Sequence, residues 1–401
     1  MEIIQNGSIT SAKGFLACGV NAGFKESNFD FMLLFSKIEA TVAGVFTKNQ
    51  VIAAPVIYCK ELLDKNSSIA RVVAINSGVA NACTGERGLK WCKETAELIS
   101  KKFDVASDQV YLASTGVIGR DIDMSKIALG IEKSADNLNP EGGVDAAKAI
   151  MTTDTVSKSI AIRCTVNGNS FVVGGMAKGS GMIAPNMATM LSVITTDVKI
   201  QNPLLQSILK NAADKSFNLV TIDGDTSTND TVLILANGMS NIEVISGSEE
   251  EKIFTEAIFF VCVSLAKMIA KDGEGATKMI EIEVCGAKTE EDARKIAMTI
   301  ANSPLVKTAM FGNDPNWGRV FAAAGRAGVE FDQAKCDLIF AGVEMVKSGE
   351  PIPFDKKWVG KQMQVEEVKV SLDLHQGEST ATSWTCDFSY EYVKINGEYT
   401  T

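Results

Sequence analysis

The stretch that decides how this chain is interpreted is KGSGMIAPNMATMLSVITTD, residues 178–197. It begins with a lysine among glycines, passes through a proline and an asparagine, and continues into an apolar, β-branched run. This pattern predicts a flexible turn that leads directly into a buried strand. At the junction, Ala188 offers an unhindered carbonyl and Thr189 carries a hydroxyl on the far side of the same peptide bond.

These two residues meet the requirements of backbone self-cleavage. Attack of the Thr189 hydroxyl on the Ala188 carbonyl would move the acyl group from nitrogen to oxygen, and water would complete the cut. The new N-terminal threonine would have an α-amine with a reference pKa of about 7.7–8.0, able to act as base for its own hydroxyl. On pattern alone the alternative stays open that Thr189 is present because β-branched residues suit strands.

Composition limits the classes of protein to consider. The chain has 401 residues, 46% of them hydrophobic and 22% charged, which predicts two domains or two layers of one large fold. A net charge of −10 disfavours a nucleic-acid or anionic-membrane surface, and the N-terminus has no secretory signal pattern. The most apolar window, Ile253–Ala270, contains polar and charged residues and favours a buried helix over a membrane span.

The cysteine and histidine content limits the kinds of metal site and catalytic base that this chain can have. Nine cysteines without a C-x-x-C pair indicate reduced, packed thiols, no zinc site and a cytoplasmic location. The single histidine, His375, falls on the polar face of a predicted strand and is expected at the surface. A multi-histidine metal centre is therefore impossible and no metal is expected. A serine–histidine pair would depend on this one residue, so we expect the chemistry to use another base.

Periodicity predicts a mixed α/β protein. One helix is expected over 86–103, a second from Asn202-Pro203 as N-cap and first-turn proline, and a third over 289–300 behind a capping box of Thr289 and Asp292. Strands are predicted at Arg71–Ile75, Ser170–Val173, Met190–Thr195, Thr231–Leu235, Met279–Val284 and Val368–Leu374.

Glycine-rich and acidic segments between these elements are candidate ligand loops. NSG at 76–78, STG at 114–116 and GGMAKGSG at 174–181 are interpreted as loops, the last of them mobile. Lys178 does not fit a phosphate-loop motif and could hold a carboxylate, although a solvated lysine stays open. TIDGDTSTND at 221–230 lacks the ligand spacing of a calcium loop and is interpreted as a polar turn between strands.

Several motifs together resemble the glutamate N-acetyltransferase/ornithine acetyltransferase family of arginine biosynthesis. The processing segment at 178–197 is accompanied, in the family's order, by STGVIG at 114–119, MTTDT at 151–155, DGDTSTNDT at 223–231, DGEGATK at 272–278, GNDPNWGR at 312–319 and the terminal NGEYTT. The resemblance implies that Thr189 is the nucleophile, freed by cleavage after Ala188. It also implies that Thr115 and Gly116 form the oxyanion hole.

The resemblance further implies a set of substrate contacts. Lys178 would hold the substrate carboxylate and Glu274 would meet its amino end. A hydroxyl would come from Thr152 or Thr153, with Thr152 favoured, and the remaining contacts would be Asn396 and Thr401.

The fold implied by the resemblance is an α/β, two-sheet αββα-type sandwich built from two intertwined fragments of a self-cleaved precursor, 1–188 and 189–401. These are expected to assemble as a heterotetramer of two alpha and two beta fragments. The implied reaction is a ping-pong transfer of acetyl from N2-acetylornithine to glutamate, without a cofactor. Some members also use acetyl-CoA, and no motif here decides that point. Alternatives are a self-processing N-terminal-threonine amidase or aminopeptidase, and a non-catalytic metabolite-binding protein.

Overall fold

The computed structural model describes residues 1–65, 68–184 and 190–398. Its strands are β1 (Glu2–Ile3), β2 (Phe15–Val20), β3 (Phe31–Phe46), β4 (Ile69–Val79), β5 (Val110–Val117), β6 (Lys158–Val166), β7 (Asn169–Lys178), β8 (Leu191–Thr196), β9 (Lys199–Ile200), β10 (Thr231–Ala236), β11 (Glu243–Val244), β12 (Met279–Ala287), β13 (Asp337–Phe340), β14 (Val343–Lys347), β15 (Glu350–Pro351), β16 (Glu367–Asp373) and β17 (Ser379–Cys386). Its α-helices are α1 (Ala54–Asp64), α2 (Gly85–Phe103), α3 (Met124–Asn137), α4 (Gly143–Ala149), α5 (Asn202–Asp214), α6 (Glu249–Lys271), α7 (Glu290–Ala301), α8 (Pro304–Phe311), α9 (Trp317–Gly325), α10 (Lys356–Gln362) and α11 (Tyr390–Glu398).

A nine-stranded mixed sheet organises the first two thirds of the chain. Its strand order is β1-β6-β7-β8-β10-β3-β4-β5, with β2 paired to β3. The long strand β3 pairs with β2 and β4 through its first half and with β10 through its second half. Parallel pairing places the C-terminal ends of β4 and β5 side by side, and it likewise places the starts of β8 and β10 side by side.

Helices and a second sheet complete the core. Buried side chains of α1 to α4 join those of β2 to β5 in one apolar cluster, and α5 and α6 form another with β6, β7, β8 and β10. The six-stranded sheet β15-β14-β13-β16-β12-β17 packs with α7 to α10 in a third cluster. Trp384 and Met279, from two strands of that sheet, belong to the second cluster and join the two sheets.

The long predicted elements are confirmed. The helices expected at 86–103, 202 and 289–300 correspond to α2, α5 and α7, and each of the six predicted strands lies within or overlaps an observed one. Thr289 is the N-cap of α7 as expected, because its Oγ1 accepts from the Asp292 N–H at 3.1 Å, and the Thr289 hydroxyl donates to the Asp292 carboxylate at 2.8 Å. Asn202 is not the N-cap of α5, however. It lies inside the first turn and its side chain donates to the Val42 carbonyl at 2.6 Å.

Helix α6 is the one helix in the described part of the chain with the length and apolar composition of a membrane span. Half of its apolar window is buried inside the protein, where Phe254, Val261 and Leu265 have no exposed surface. The helix is therefore a core element in this structure, as its interrupted sequence pattern predicts. The nine cysteines are all unpaired, and seven of them are buried.

The interpretation of the glycine runs as loops is wrong for three segments. NSG lies in β4, STG in β5, and Gly174 to Lys178 in β7. The glycines in β7 are required by close packing: a Cβ on Gly174 would lie 2.2 Å from the Ser8 carbonyl oxygen, and one on Gly175 would lie 2.7 Å from Val261. Lys178 is therefore held by a sheet and is not part of a mobile loop.

Candidate active site

A pocket of about 660 Å³ lies where the ends of β5 and β7 meet the loops that precede β10 and β12. Its lining includes the seven described residues that the sequence analysis assigned to oxyanion stabilisation or substrate binding: Thr115, Gly116, Thr152, Thr153, Lys178, Glu274 and Asn396. Ala188, Thr189 and Thr401 lie outside the described residues. The described part of the expected site thus converges on one cavity.

The two residues of the predicted oxyanion hole, Thr115 and Gly116, lie near the C-terminal end of β5. Gly116 has a φ of +128°, and a Cβ on it would lie 2.3 Å from the Gly78 carbonyl carbon, so only glycine fits. Asn229 ties the two strand ends together, because its side chain donates to the Ser114 carbonyl at 2.8 Å and to a carbonyl just beyond β4 at 2.6 Å. Backbone N–H groups that are fixed in this way are in position to donate hydrogen bonds before negative charge develops on a substrate oxygen.

Lys178 is a buried cation at the edge of the pocket. It is the last residue of β7 and only 3% of its surface is exposed. Burial lowers the pKa of Lys178; the charge of Lys158 lowers it further, while the carboxylates of Asp154, Asp230 and Glu274 raise it. In this poorly solvated setting, an ammonium group attracts a ligand carboxylate more strongly than an exposed lysine does.

Asp154 fixes the backbone beside that cation. It accepts hydrogen bonds from the Gly179 N–H at 2.7 Å and from Lys158 Nζ at 2.7 Å, and Lys158 also contacts Asp272 at 2.5 Å. Burial alone would raise the pKa of Asp154, but the charges of Lys178 and Lys158 outweigh it and hold the pKa at about 2. Asp154 is therefore ionised at neutral pH and holds the turn after β7 in place.

Glu274 provides a carboxylate on the wall of the same pocket. Its oxygen accepts from Asn396 Nδ2, in helix α11, at 2.8 Å, and its N–H donates to the Ser180 carbonyl at 2.9 Å. A Cβ on Gly181 would lie 2.3 Å from the Glu274 carboxyl carbon, so that glycine leaves room for the acid. A pocket with one buried ammonium and one carboxylate is matched to a zwitterionic amino acid.

Comparison with protein-family models shows to which family the chain belongs. The model of the ArgJ family matches residues 16–401. The chain belongs to the ArgJ family. The match includes every residue assigned to the candidate site, from Thr115 to Thr401.

The chain is similar to curated and solved proteins along most or all of their length. The arginine biosynthesis bifunctional protein ArgJ of Symbiobacterium thermophilum is 46% identical over 399 residues, covering 98% of this chain and 99% of that protein. A crystal structure of the argJ protein of Bacillus halodurans is 41% identical, with a TM-score of 0.52, and covers 53% of this chain and 100% of that chain. An ornithine acetyltransferase from Mycobacterium tuberculosis, solved with ornithine, is 38% identical and covers 46% and 97%, with a TM-score of 0.43.

The choice between Thr152 and Thr153 stays open in this ArgJ structure. Both line the pocket. Thr152 is the more firmly placed of the two, because its N–H donates to Asp154 at 3.0 Å. Thr152 also lines an adjoining cavity with Lys25, so it lies at the boundary between the pocket and that cavity.

The acidic segment before β10 contributes residues that reasoning from local pattern missed. Ser227, Thr228 and Asn229 line the pocket, although the segment was interpreted only as a polar turn. Asp223 accepts from the Met182 and Ile183 N–H groups at 2.6 and 2.8 Å. The available signal was DGDTSTNDT at 223–231, which is among the motifs that carry the family resemblance.

The single histidine lies outside the pocket, as expected. His375 follows β16, has a side chain that is 48% exposed, and pairs with Asp337 at 2.8 Å. Within the described ranges, no group of three or more potential ligands is placed to hold a metal ion.

Proposed function

We propose that this chain cuts itself between Ala188 and Thr189 and then transfers acetyl from N2-acetylornithine to glutamate through an acetyl-Thr189 ester. As a member of the ArgJ family, it is an acetyltransferase of arginine biosynthesis. The observation that carries the proposal is the pocket that brings together Thr115 and Gly116 of β5, Lys178 and Glu274.

The proposed chemistry uses groups at this pocket and needs no cofactor. The Thr189 α-amine takes the hydroxyl proton while the oxygen attacks the acetyl carbonyl. Thr115 and Gly116 stabilise the oxyanion, and free ornithine leaves before glutamate enters and accepts the acetyl group. Each donor in such an oxyanion hole typically lowers the barrier by about 2.7–4 kcal/mol.

One site can serve two amino acids because it holds what they share. Ornithine and glutamate have the same α-carboxylate, which we assign to the buried Lys178 ammonium, and Glu274 is assigned to the amino end. Asn396 supports this role by fixing the Glu274 carboxylate at 2.8 Å. Thr401 would add a further contact. The cavity that adjoins the pocket at Thr152 offers space for acetyl-CoA as a second acetyl donor.

The strand order supports two fragments that stay together after the cut. In β7-β8-β10-β3, the central pair belongs to the fragment 189–401 and the outer pair to the fragment 1–188. Separation would therefore break two ladders within the nine-stranded sheet.

Assembly and location belong to the same proposal. We infer a heterotetramer of two alpha and two beta fragments in the cytoplasm, where the nine unpaired cysteines would stay reduced. The sharing of β3 between two halves of the large sheet supports the αββα arrangement that the family resemblance implies.

Intact mass after acetyl capture tests the function. The purified protein should give two fragments, and incubation with acetylornithine should add one acetyl group to the 189–401 fragment. Thr189→Ala should leave one uncut, inactive chain. Cleavage of that variant at the normal rate would refute the nucleophile. The amidase alternative predicts hydrolysis of acetylornithine in place of transfer to added glutamate. The non-catalytic alternative is wrong, because the family is one of enzymes.

A further inference from the structure

A second cavity, of about 780 Å³, adjoins the candidate active site at Thr152. Thr152 lines both spaces, and Asp154, which accepts from the Thr152 N–H, lines the second one. The lining of this cavity also includes Lys25, from the segment between β2 and β3, and Lys148, near the end of α4. The candidate active site is thus bordered, at Thr152, by a space with two further lysines.

Lys25 is the partly buried lysine of this cavity. Its Nζ donates to the Met151 carbonyl at 2.7 Å and to the Phe29 carbonyl at 3.2 Å. Because Met151 directly precedes Thr152, the first of these bonds places the ammonium group next to the wall that the two cavities share. The backbone of Lys25 is fixed as well, since its N–H donates to the carboxylate of the buried Asp30 at 2.8 Å.

The hydrogen bonds of this ammonium group leave it able to bind an anion. A lysine ammonium has three N–H donors, and the two carbonyls use two of them. Both carbonyls are uncharged, so within the described ranges no hydrogen-bonded carboxylate neutralises Lys25. Burial lowers the pKa of Lys25, and the charge of Lys178 acts in the same direction, against nearby carboxylates. The two ammonium groups thus repel each other, and an anion bound between them relieves that repulsion.

The two amino acids of the proposed transfer carry opposite charges at the ends of their side chains. The α-nitrogen of N2-acetylornithine is acetylated, so its free ammonium group is at the end of the side chain, and this is the amino end assigned to Glu274. Glutamate has a carboxylate there, which the Glu274 carboxylate would repel. If both molecules bind Lys178 through the α-carboxylate, the side chain of glutamate needs a place away from Glu274 and beside a different cation.

Two cations remain among the described residues that line the two cavities, Lys25 and Lys148. The Lys148 side chain is 52% exposed and pairs with Asp145 at 3.1 Å. An exposed ammonium that already has a partner is screened by water and contributes little to the binding of an ion. Lys25 is less exposed and donates to neutral groups only, so it is the cation that suits a bound carboxylate.

We infer that Lys25 binds the side-chain carboxylate of the glutamate acceptor. The inference rests on the proposed function, and it means that donor and acceptor share Lys178 but extend in different directions, towards Glu274 and towards Lys25. Because the acetyl donor has reacted and its remainder has left before glutamate enters, the second cavity is free at that step. Lys25 then determines acceptor specificity, since it favours glutamate over glutamine, which has nearly the same shape and no side-chain charge.

Acetyl transfer to glutamate and to glutamine, measured in parallel, tests the inference. Self-processed wild type and Lys25→Met are supplied with acetylornithine, and the acetylated product is measured over a range of acceptor concentrations. We expect Lys25→Met to lower kcat/KM for glutamate by at least about 10-fold, through a higher KM, because it removes a hydrogen bond between charged groups. The kcat/KM for glutamine should stay at the wild-type value. The release of ornithine without added acceptor, which reports formation of the acetyl-enzyme, should also be unchanged.

Lys148→Met is the matched control, since it removes an exposed lysine from the same cavity. This variant should keep the wild-type preference for glutamate, and Lys25→Arg, which keeps the charge, should retain most of it. If Lys25→Met does not fold, Lys25→Gln takes its place, because glutamine keeps N–H donors for the two carbonyls and lacks the charge.

The ratio of kcat/KM for glutamate to that for glutamine decides the outcome. An unchanged ratio in Lys25→Met would overturn the inference, and so would equal losses for glutamate, glutamine and ornithine release, which indicate a structural role alone. Wild type that uses glutamine as efficiently as glutamate would also reject it. Wild type that releases no ornithine and forms no acetyl-enzyme would instead overturn the proposed function.

Discussion

Replacement of Gly116 by alanine is the sharpest perturbation of the proposed oxyanion hole. The φ of +128° is accessible essentially to glycine alone, and the added Cβ would lie 2.3 Å from the Gly78 carbon, 2.6 Å from its oxygen and 2.6 Å from the Val79 nitrogen. Because all three atoms are backbone, no side chain can move aside. The ends of β4 and β5 must separate by roughly 1 Å to restore ordinary contact distances.

The size of the effect follows from that displacement. A shift of this order moves a donor away from the developing oxyanion, and the loss of one donor costs about 2.7–4 kcal/mol, or 10²–10³ in kcat. Lys178 and Glu274, which are assigned to substrate binding, lie on other elements, so the KM for glutamate should change little. Backbone strain adds about 1–3 kcal/mol to the cost in stability.

The assay is acetyl transfer from acetylornithine to glutamate, expressed per cleaved chain so that slow processing is not counted as slow transfer. Gly119→Ala is the matched control: Gly119 is three residues away with a φ of +78°, but no atom lies within 4 Å of its added Cβ. The control should lose stability and keep kcat. The reasoning fails if Gly116→Ala retains more than about a third of the wild-type kcat, or if both variants lose activity equally.

Three further predictions concern the buried charges. Lys178→Met should raise the KM for glutamate by at least about 30-fold, measured by steady-state kinetics. This factor corresponds to about 2 kcal/mol, the lower end of the cost of removing one partner of a buried ion pair. Lys158→Met removes the buried partner of Asp154 and Asp272 and should lower the free energy of unfolding, measured with urea, by about 3–5 kcal/mol. The control Lys210→Met, in an exposed ion pair, should lower it by less than about 1 kcal/mol. Because the folded pKa of Asp154 is about 2, below the unfolded value of about 3.9, its contribution of about 2.6 kcal/mol is complete above about pH 5 and is lost as pH falls through 2. Unfolding of Asp154→Asn should therefore change less between pH 5 and pH 3 than that of wild type, and an equal change would contradict the assignment.

Elements with long, regular periodicity were predictable from the sequence. Helix α2 has apolar residues on one face, and β12 and β16 alternate between buried and more accessible positions, so local pattern and final environment agree. The convergence of Thr115, Lys178 and Glu274 on one pocket was expected only through family resemblance. Nothing in their local spacing indicates that three distant segments meet.

The glycine-rich strands could not be predicted, because glycine has two opposite uses. In a turn it supplies a positive φ, whereas in β7 it leaves room for neighbouring backbone and side chains. Local sequence does not distinguish the two, since the reason for Gly174 is a carbonyl at Ser8, far away in the chain. The same limit explains why Lys178 was interpreted as mobile: its environment is set by the sheet.

The segment DGDTSTND shows how an acidic turn can support the proposed self-cleavage. Its first aspartate, Asp223, holds the chain before the proposed cut through the Met182 N–H at 2.6 Å, and its last, Asp230, holds the chain after it through the Met190 N–H at 3.1 Å. The antiparallel pairing of β7 with β8 adds a second attachment on each side. Neither attachment depends on the bond to be broken, so cleavage can release a new amine while the pocket keeps its geometry. One short loop would then serve both steps, by holding the precursor in position for its cut and by keeping the resulting ends where acetyl transfer needs them.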